Sequence, residues 1–343
     1  MPLTSFIIDA LKSLKDPESG QDIVSAGLVQ GLSMTTEGIV SFVLDIKPSF
    51  IKEGGILKEE AESLIKALPE VKEVYVALTT QREKKIPSFA KENVPGIAHI
   101  LVVGSGKGGV GKSTTAVNLA YAMHALGLRI GILDADIYGP SLPRLLGITG
   151  QPTSDGKTMN PIQAHGLKAM SMGFLVPEDS PMIWRGPMIQ KALQQMLRQV
   201  HWGELDVLII DLPPGTGDIC LTLAQSTSLS GALIVSTPQD LALIDARKAL
   251  GMFKTVDVPV LGCIENMSYF LCPHCEGRSD IFEHGGVRRE AEKLGVPLLA
   301  EIPLHMKIRE SAEQGIPLGA NKFSEKEAHL YQELAKEVWA LLS

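Results

Sequence analysis

Short apolar runs alternate with amphipathic stretches along most of the chain. Continuous runs predict buried strands at residues 99–103, 129–133, 206–210 and 258–264. Helical patterns lie between or after these runs, at residues 188–200, 241–253 and 324–342, the last with Leu330, Leu334, Val338 and Leu341 on one face. This alternation predicts an α/β fold with a mainly parallel sheet covered by helices on both faces.

The first part of the chain has a different pattern. One helical face is predicted from Leu3, Phe6, Ile7, Ala10, Leu11 and Leu14. Strands at 39–46 and 71–80 flank a predicted helix at about 57–68. Together they predict a small α+β domain over residues 1–83. Residues 84–98 contain Pro87, Pro95 and Gly96 and are expected to form a linker to a second domain over 99–343.

A glycine-rich loop follows the strand at 99–103 and opens a helix. Residues 104–114 read GSGKGGVGKST, which contains the spacing G-x-x-x-x-G-K-[ST]. In such a loop backbone N–H groups surround a polyphosphate, the lysine reaches the outer phosphates and the hydroxyl holds Mg²⁺. The helix start behind the loop adds a favourable dipole. The predicted nucleotide-binding residues are Gly106, Lys107, Gly108, Gly109, Val110, Gly111, Lys112, Ser113 and Thr114.

Lys107 is a second lysine in this loop, which already has Lys112 for phosphate binding. A solvated lysine is the alternative, but a catalytic use is favoured. The Lys-Gly-Gly-Val-Gly-Lys-Ser pattern resembles the deviant P-loop of ATPases whose early lysine reaches the partner's nucleotide across a dimer interface. The resemblance implies that Lys107 neutralises charge in the phosphoryl-transfer transition state, as an arginine finger does.

Two further strands end in carboxylates, at the sheet edge where ligands of open α/β sheets bind. The strand at 129–133 runs into Asp134-Ala135-Asp136, and Asp136 is predicted to orient the attacking water. The strand at 206–210 ends in Asp211, which is predicted to hold Mg²⁺ together with Ser113.

A turn-rich segment, residues 212–218, follows Asp211. We expect it to be a switch in which Gly215 offers its N–H to a γ-phosphate and Asp218 responds. Guanine-specific proteins usually carry Asn-Lys-x-Asp, whereas residues 321–324 read NKFS and lack the carboxylate, so adenine is favoured. Asn266, at the end of a predicted strand, is expected to contact the base.

The second candidate site is Cys272-Pro273-His274-Cys275. A C-x-x-C pair can be a redox pair, half of a zinc site or part of an iron–sulfur site. Zinc and [4Fe–4S] sites generally need four ligands, whereas Cys220 and Cys263 are expected to be buried thiols. The simplest source of the missing ligands is the same pair from a second copy across a two-fold axis. A single-chain zinc site completed by His274 and His284 is the alternative.

These segments together resemble the Mrp/ApbC-type P-loop ATPases, the iron–sulfur cluster carrier family. The matching segments are residues 104–114, 134–141, 211–218, 265–268 and 272–275. The resemblance implies a homodimer that binds ATP, holds a labile [4Fe–4S] cluster between subunits through Cys272 and Cys275, and passes it to recipient apoproteins. Residues 16–24 resemble the start of a MIP18-like domain, which implies a link to iron–sulfur assembly proteins.

Composition and charge argue against a nucleic-acid or membrane partner. A net charge of −7 and a pI near 5.7 leave no basic footprint for nucleic acid. No apolar stretch reaches the roughly 18 residues of a membrane span, and the amino terminus lacks the pattern of a signal or transit peptide. We therefore expect a cytosolic protein without a membrane or nucleic-acid partner.

Two other ATPase classes share the Lys107 loop. Positioning ATPases of the partition or cell-division type bind DNA or membrane, which the acidic tail with Glu325, Glu327, Glu333 and Glu337 argues against. Targeting ATPases for membrane-protein clients hold a structural zinc through a dimeric C-x-x-C pair and bind clients in a methionine-rich groove. Met170, Met172, Met182 and Met188 are scattered here and are expected in core or loops. Metal identity separates this class from the carrier.

Overall fold

The chain divides into two compact units, Met1–Ser88 and Phe89–Ser343. The structure is a computed structural model that describes residues 3–35, 38–46, 48–68, 71–79, 93–175, 186–215, 217–275, 277–283, 285–320 and 325–343. Most of the predicted linker lies outside these residues. The first strand of the second unit begins at Ile97, inside the range assigned to the linker.

The first unit is a three-stranded sheet packed against helices. Its elements are α1 (Leu3–Leu11), β1 (Val29–Met34), β2 (Ile39–Asp45), α2 (Ile51–Lys66) and β3 (Glu73–Thr79). Strand β2 lies in the centre, antiparallel to β1 and parallel to β3. Its alternating burial places Val40, Phe42 and Leu44 in a core with α1 and α2. The predicted α+β character is therefore present, with β1 as an additional strand.

Two details of this unit differ from the sequence prediction. Helix α2 begins at Ile51 rather than near Leu57. Gly54 lies in its first turns, where a Cβ would come within 2.8 Å of the Ile46 side chain, so glycine lets the helix pack closely on that residue. Phe6 was predicted on the buried face of α1, but it is 69% exposed.

The second unit is built on a nine-stranded sheet. Its strands are β4 (Ile97–Gly104), β5 (Ile130–Asp134), β6 (Ile162–Ala164), β7 (Leu167–Ser171), β8 (Leu205–Asp211), β9 (Gly231–Ser236), β10 (Val260–Leu271), β11 (Arg278–Ser279) and β12 (Leu298–Leu304). The order is β11-β10-β9-β4-β8-β5-β7-β6, with β12 paired to β10. All pairings are parallel except β6 with β7 and β10 with β11.

Helices cover both faces of this sheet. They are α3 (Lys112–Ala125), α4 (Leu142–Leu145), α5 (Gly186–Arg198), α6 (Asp218–Ser226), α7 (Asp240–Thr255), α8 (Gly286–Leu294), α9 (Met306–Gln314) and α10 (Glu325–Leu342). One apolar cluster joins the sheet to α5, α6 and α7, and a second joins it to α3 and α10. The predicted α/β architecture with helices on both faces is confirmed. Among the described residues no helix is long and apolar enough to span a bilayer.

Strand β10 corrects the prediction for the region around the C-x-x-C pair. The apolar pattern predicted a strand that ends at Ile264. The observed strand continues to Leu271, so Asn266 lies within the strand. The C-x-x-C pair lies where β10 turns into β11, its antiparallel partner.

Candidate nucleotide and metal sites

The glycine-rich loop connects β4 to α3 in the second unit. Gly109 and Gly111 have φ angles of 80° and 81°, a left-handed conformation that glycine adopts without a steric penalty. At Gly106 a Cβ would lie 2.1 Å from the carbonyl carbon of Asp245 in α7, so only glycine fits there. Because α3 begins at Lys112, the positive end of its dipole faces the loop. The geometry suits a bound polyphosphate.

Lys112, Ser113 and Asp211 come together at the carboxyl edge of the sheet. The Lys112 Nζ lies 2.5 Å from Asp211 Oδ1, and the side chains are only 7% and 2% exposed. Lys112 Nζ also lies 3.3 Å from Ser113 Oγ, and the Ser113 side chain hydrogen-bonds Asp211. Burial raises the pKa of Asp211 more than the bonds from Lys112 and Ser113 lower it. An adjacent hydroxyl and carboxylate are oxygen ligands of the kind that Mg²⁺ takes.

Asp134 is a buried carboxylate whose role the sequence analysis did not identify. It is the last residue of β5 and is fully buried. Its Oδ1 accepts a hydrogen bond from the Asp136 N–H at 3.0 Å, and its Oδ2 accepts from the N–H groups of Ser141 and Leu142 and from the Ser171 hydroxyl. Burial, followed by the charge of Asp211, raises its pKa to about 6. The sequence feature that could have identified this role is the pair of aspartates in Asp134-Ala135-Asp136.

Asp136 is partly exposed and lies in the loop that Asp134 holds. Its Oδ1 accepts the N–H groups of Tyr138 and Gly139, both at 3.2 Å. Its charge also raises the pKa of Asp211, which shows that the two carboxylates face the same region. The water-orienting role of Asp136 remains a prediction.

The segment after Asp211 contacts the glycine-rich loop. The Gly215 N–H donates to the Ser105 carbonyl at 2.8 Å, so this bond must break before the N–H can reach a phosphate. Asp218 begins α6, but its side chain and Thr216 lie outside the described residues. Lys107 is partly exposed and pairs with no carboxylate in the part of the chain that the structure describes.

Asn266 packs directly against the glycine-rich loop. Its side chain is buried, and its Nδ2 donates to the Val110 carbonyl at 2.8 Å. A Cβ on Gly111 would lie 2.1 Å from the same Nδ2. Asn266 therefore lies at the nucleotide loop, although contact with a base remains a prediction.

The C-x-x-C pair forms the turn of a β-hairpin. The Cys272 N–H donates to the Gly277 carbonyl at 3.0 Å, which closes the turn into β11. Cys272 is half-buried and Cys275 is exposed. Hydrogen bonds from the backbones of His274 and Cys275 lower the pKa of the Cys272 thiol. Because the thiolate is the form that binds metal, this turn favours ligation.

The other two cysteines are unsuited to metal binding. Cys220 and Cys263 are buried, as predicted, and burial raises the pKa of each thiol to about 11. Across the described residues no group of three or more His, Cys, Asp or Glu side chains is arranged to hold a metal ion. His284, the proposed ligand of a single-chain zinc site, lies outside those residues.

Comparison with known protein families agrees with this geometry. Residues 96–339 match the family described as NUBPL iron-transfer P-loop NTPase. The chain belongs to this family. Residues 5–76 match a second family, described as iron–sulfur cluster assembly protein. The match to a P-loop NTPase covers every predicted nucleotide and C-x-x-C residue.

Several named proteins are similar to this chain over most of its length. The chain is 40% identical to the iron–sulfur cluster carrier protein of Synechocystis sp., over 98% of this chain and 97% of that protein. It is 50% identical to the carrier protein of Escherichia coli K12, over 77% and 71% of the two chains. The iron–sulfur cluster transfer protein NUBPL of Dictyostelium discoideum is 48% identical over 74% of this chain and 79% of its own length.

Two solved structures are similar to this chain in fold. A nucleotide-binding protein from Archaeoglobus fulgidus in complex with ADP is 39% identical, with a TM-score of 0.58, and the match covers 65% of this chain and 88% of that one. The cell-division ATPase MinD of Pyrococcus furiosus is 22% identical, with a TM-score of 0.53 over 71% and 99% of the two chains. The second likeness supports the fold alone.

Proposed function

We propose that this protein is an ATP-binding and ATP-hydrolysing carrier of iron–sulfur clusters. The observation that carries the proposal is the hairpin turn with Cys272 and Cys275, which offers two accessible thiols and a backbone that favours the thiolate of Cys272. The relatives named as cluster carrier and transfer proteins support the same activity. The cluster is the cargo, and an exposed turn allows it to be received and released.

The ligand count favours a homodimer that shares one cluster. A [4Fe–4S] cluster is held by four thiolates, and each chain supplies two at the turn. Cys220 and Cys263 cannot complete the set because they are buried and their thiols have raised pKa values. A two-fold axis beside the turn brings Cys272 and Cys275 of two copies together.

The nucleotide site supports ATP hydrolysis. Lys112 and the loop N–H groups would bind the phosphates, and Ser113 with Asp211 would hold Mg²⁺, which supplies charge neutralisation at the transferred phosphoryl group. Asp136 would orient the attacking water. Lys107 would reach the nucleotide of the second copy, so turnover and cluster binding would both require the dimer. The protein would deliver its cluster to recipient apoproteins and receive it from assembly proteins.

Cluster transfer to an apoprotein tests the proposal. The reconstituted protein is mixed, without oxygen, with an apoenzyme that becomes active only when it acquires a [4Fe–4S] cluster. Wild-type protein should restore activity, and Cys275→Ser should not, because it removes two of the four thiolates in a dimer. Transfer by Cys275→Ser at the wild-type rate and yield would contradict the assignment.

The hairpin also favours a second candidate, a dimeric targeting ATPase with structural zinc. Two cysteines at the turn of a β-hairpin also suit half of a tetrahedral zinc site. Such a site would be stable and closed, whereas a carrier's cluster must be labile. One tightly held zinc per dimer and no iron would favour this candidate.

A further inference from the structure

Strand β10 touches both candidate sites. Near its middle the Asn266 side chain bonds the Val110 carbonyl of the nucleotide loop, and one residue beyond its end lies Cys272. Asn266 is tightly packed against the nucleotide loop, since a Cβ on Gly111 would overlap the Asn266 amide. A shift of the loop therefore has to move Asn266.

The strand is kinked between these two points. Met267 has a φ of 55°, a left-handed conformation that is uncommon for a residue with a side chain. The pairing with β12 also changes register there, from Asn266 opposite Ile302 to Phe270 opposite Leu304. Between these two pairs the chain advances by four residues along β10 but by only two along β12. Such a bulge could absorb a displacement unless something holds it.

The carboxylate of Glu265 holds this kink. Glu265 is fully buried, its Oε1 accepts the Ser268 hydroxyl at 2.6 Å, and its Oε2 accepts the Val287 N–H at 2.7 Å. Ser268 lies on the far side of Met267, so the first bond spans the kink. Val287 lies in the first turn of α8, where the helix dipole favours a negative charge. Both bonds are short and end on the same carboxyl group, so they fix Glu265 between Ser268 and the start of α8.

We propose that Glu265 is a positioning residue that couples the nucleotide loop to the cluster cysteines. It makes the segment from Asn266 to Ser268 rigid, so that a displacement at the loop reaches Cys272 instead of being absorbed in the bulge. The coupling rests on the proposed function, because it requires nucleotide and cluster to bind the same chain. Its consequence is that nucleotide changes the rate at which the cluster is released.

The test measures cluster loss with and without nucleotide. Reconstituted protein is exposed to a ferrous-iron chelator, and the fall in visible absorbance is followed with Mg²⁺ alone or with Mg²⁺ and a non-hydrolysable ATP analogue. In wild-type protein the two rates should differ by at least about fivefold, the lower end of typical coupling between sites. In Glu265→Gln the ratio should fall to within about twofold of one, while analogue affinity and iron per chain stay at wild-type values.

Glu301→Gln is the matched control. Glu301 is the register partner of Glu265 on β12, but its carboxylate pairs with the exposed Arg288, so this variant should keep the wild-type ratio. Ser268→Ala removes one of the two bonds and should also lower the ratio. It provides a second test that does not depend on whether Glu265→Gln folds. An unchanged ratio in either Glu265→Gln or Ser268→Ala would overturn the coupling. Equal rates of cluster loss with and without the analogue in wild-type protein would also overturn the coupling. If wild-type protein binds no cluster, the proposed function itself is overturned.

Discussion

Replacing Asp134 by asparagine should affect stability and turnover in different ways. The carboxylate is buried, and its pKa is raised from its ordinary value of 3.8 to about 6. At about 1.4 kcal/mol per pH unit, this rise means that the charged form costs about 3 kcal/mol in the folded state. The cost is absent below pH 3.8, develops as the pH rises and is complete above about pH 6.

Asparagine removes this cost but also one hydrogen bond. If its oxygen takes the place of Oδ2, it still accepts from Ser141, Leu142 and Ser171. Its amide group then faces the Asp136 N–H, and that unmade bond costs about 1–3 kcal/mol. The variant should therefore gain stability relative to wild type as pH rises, by about 1.5 kcal/mol between pH 5 and 7.5.

Urea unfolding followed by tryptophan fluorescence measures this difference. All three tryptophans, at positions 184, 202 and 339, belong to the second unit, so the signal reports the unit that contains Asp134. Asp206→Asn is the control, because the bonds from Arg129 lower the pKa of Asp206 below its ordinary value of 3.8. The stability that this charge contributes is therefore complete above about pH 5, and the deficit of Asp206→Asn should stay constant between about pH 5 and 7.5. A stability difference for Asp134→Asn that does not change with pH would refute the buried-charge argument.

The same variant should lose turnover. Without its acceptor, the Asp136 backbone is no longer fixed, so kcat for ATP should fall while analogue affinity is retained. In a protein that already carries Asp136→Asn, adding Asp134→Asn should not lower kcat further, because Asp134 affects turnover only by positioning Asp136. Additive losses would show that Asp134 acts in another way.

Other substitutions in the loop give distinct results. Lys107→Ala should keep ATP affinity and lose turnover, because this lysine is proposed to act only in the transition state; unchanged hydrolysis would remove the trans-acting role. Gly111→Ala should lower nucleotide affinity, measured by calorimetry, because its Cβ would overlap Asn266 and its φ is 81°; wild-type affinity would contradict the contact. Lys112→Ala should destabilise the unliganded protein by about 3–5 kcal/mol near neutral pH, because it leaves the Asp211 carboxylate buried without an opposite charge. A loss below about 1 kcal/mol in urea unfolding would count against that ion pair.

The features that could be predicted from the sequence were those determined by residues close together in the chain. The apolar runs gave strands β4, β5 and β8, and the glycine-lysine spacing gave the loop between β4 and α3, because both patterns are local in the chain. The final apolar face was confirmed at Leu334 and Val338, which are buried where α10 packs on α3, but it was wrong at Leu341, which is 47% exposed near the end of the helix.

The features missed depend on partners distant in sequence. Glu265 and Asn266 looked like the end of a strand because they are polar, yet both are buried in β10. Their partners include the Val287 N–H and the Val110 carbonyl, which the fold brings to them. Asp134 was missed as an organising residue for the same reason, since the Ser171 hydroxyl comes from the neighbouring strand.

Metal content is the most direct test of the central claim, that two copies hold one cluster through Cys272 and Cys275. Iron, sulfide and zinc are measured with a visible spectrum and the mass of the assembly, on protein reconstituted without oxygen. About four irons and four sulfides per dimer are expected, lost in Cys272→Ser and kept in Cys263→Ala, which changes a buried cysteine of β10, the strand that leads to the C-x-x-C turn. About one zinc per dimer without iron, or a full cluster in Cys272→Ser, would contradict the account.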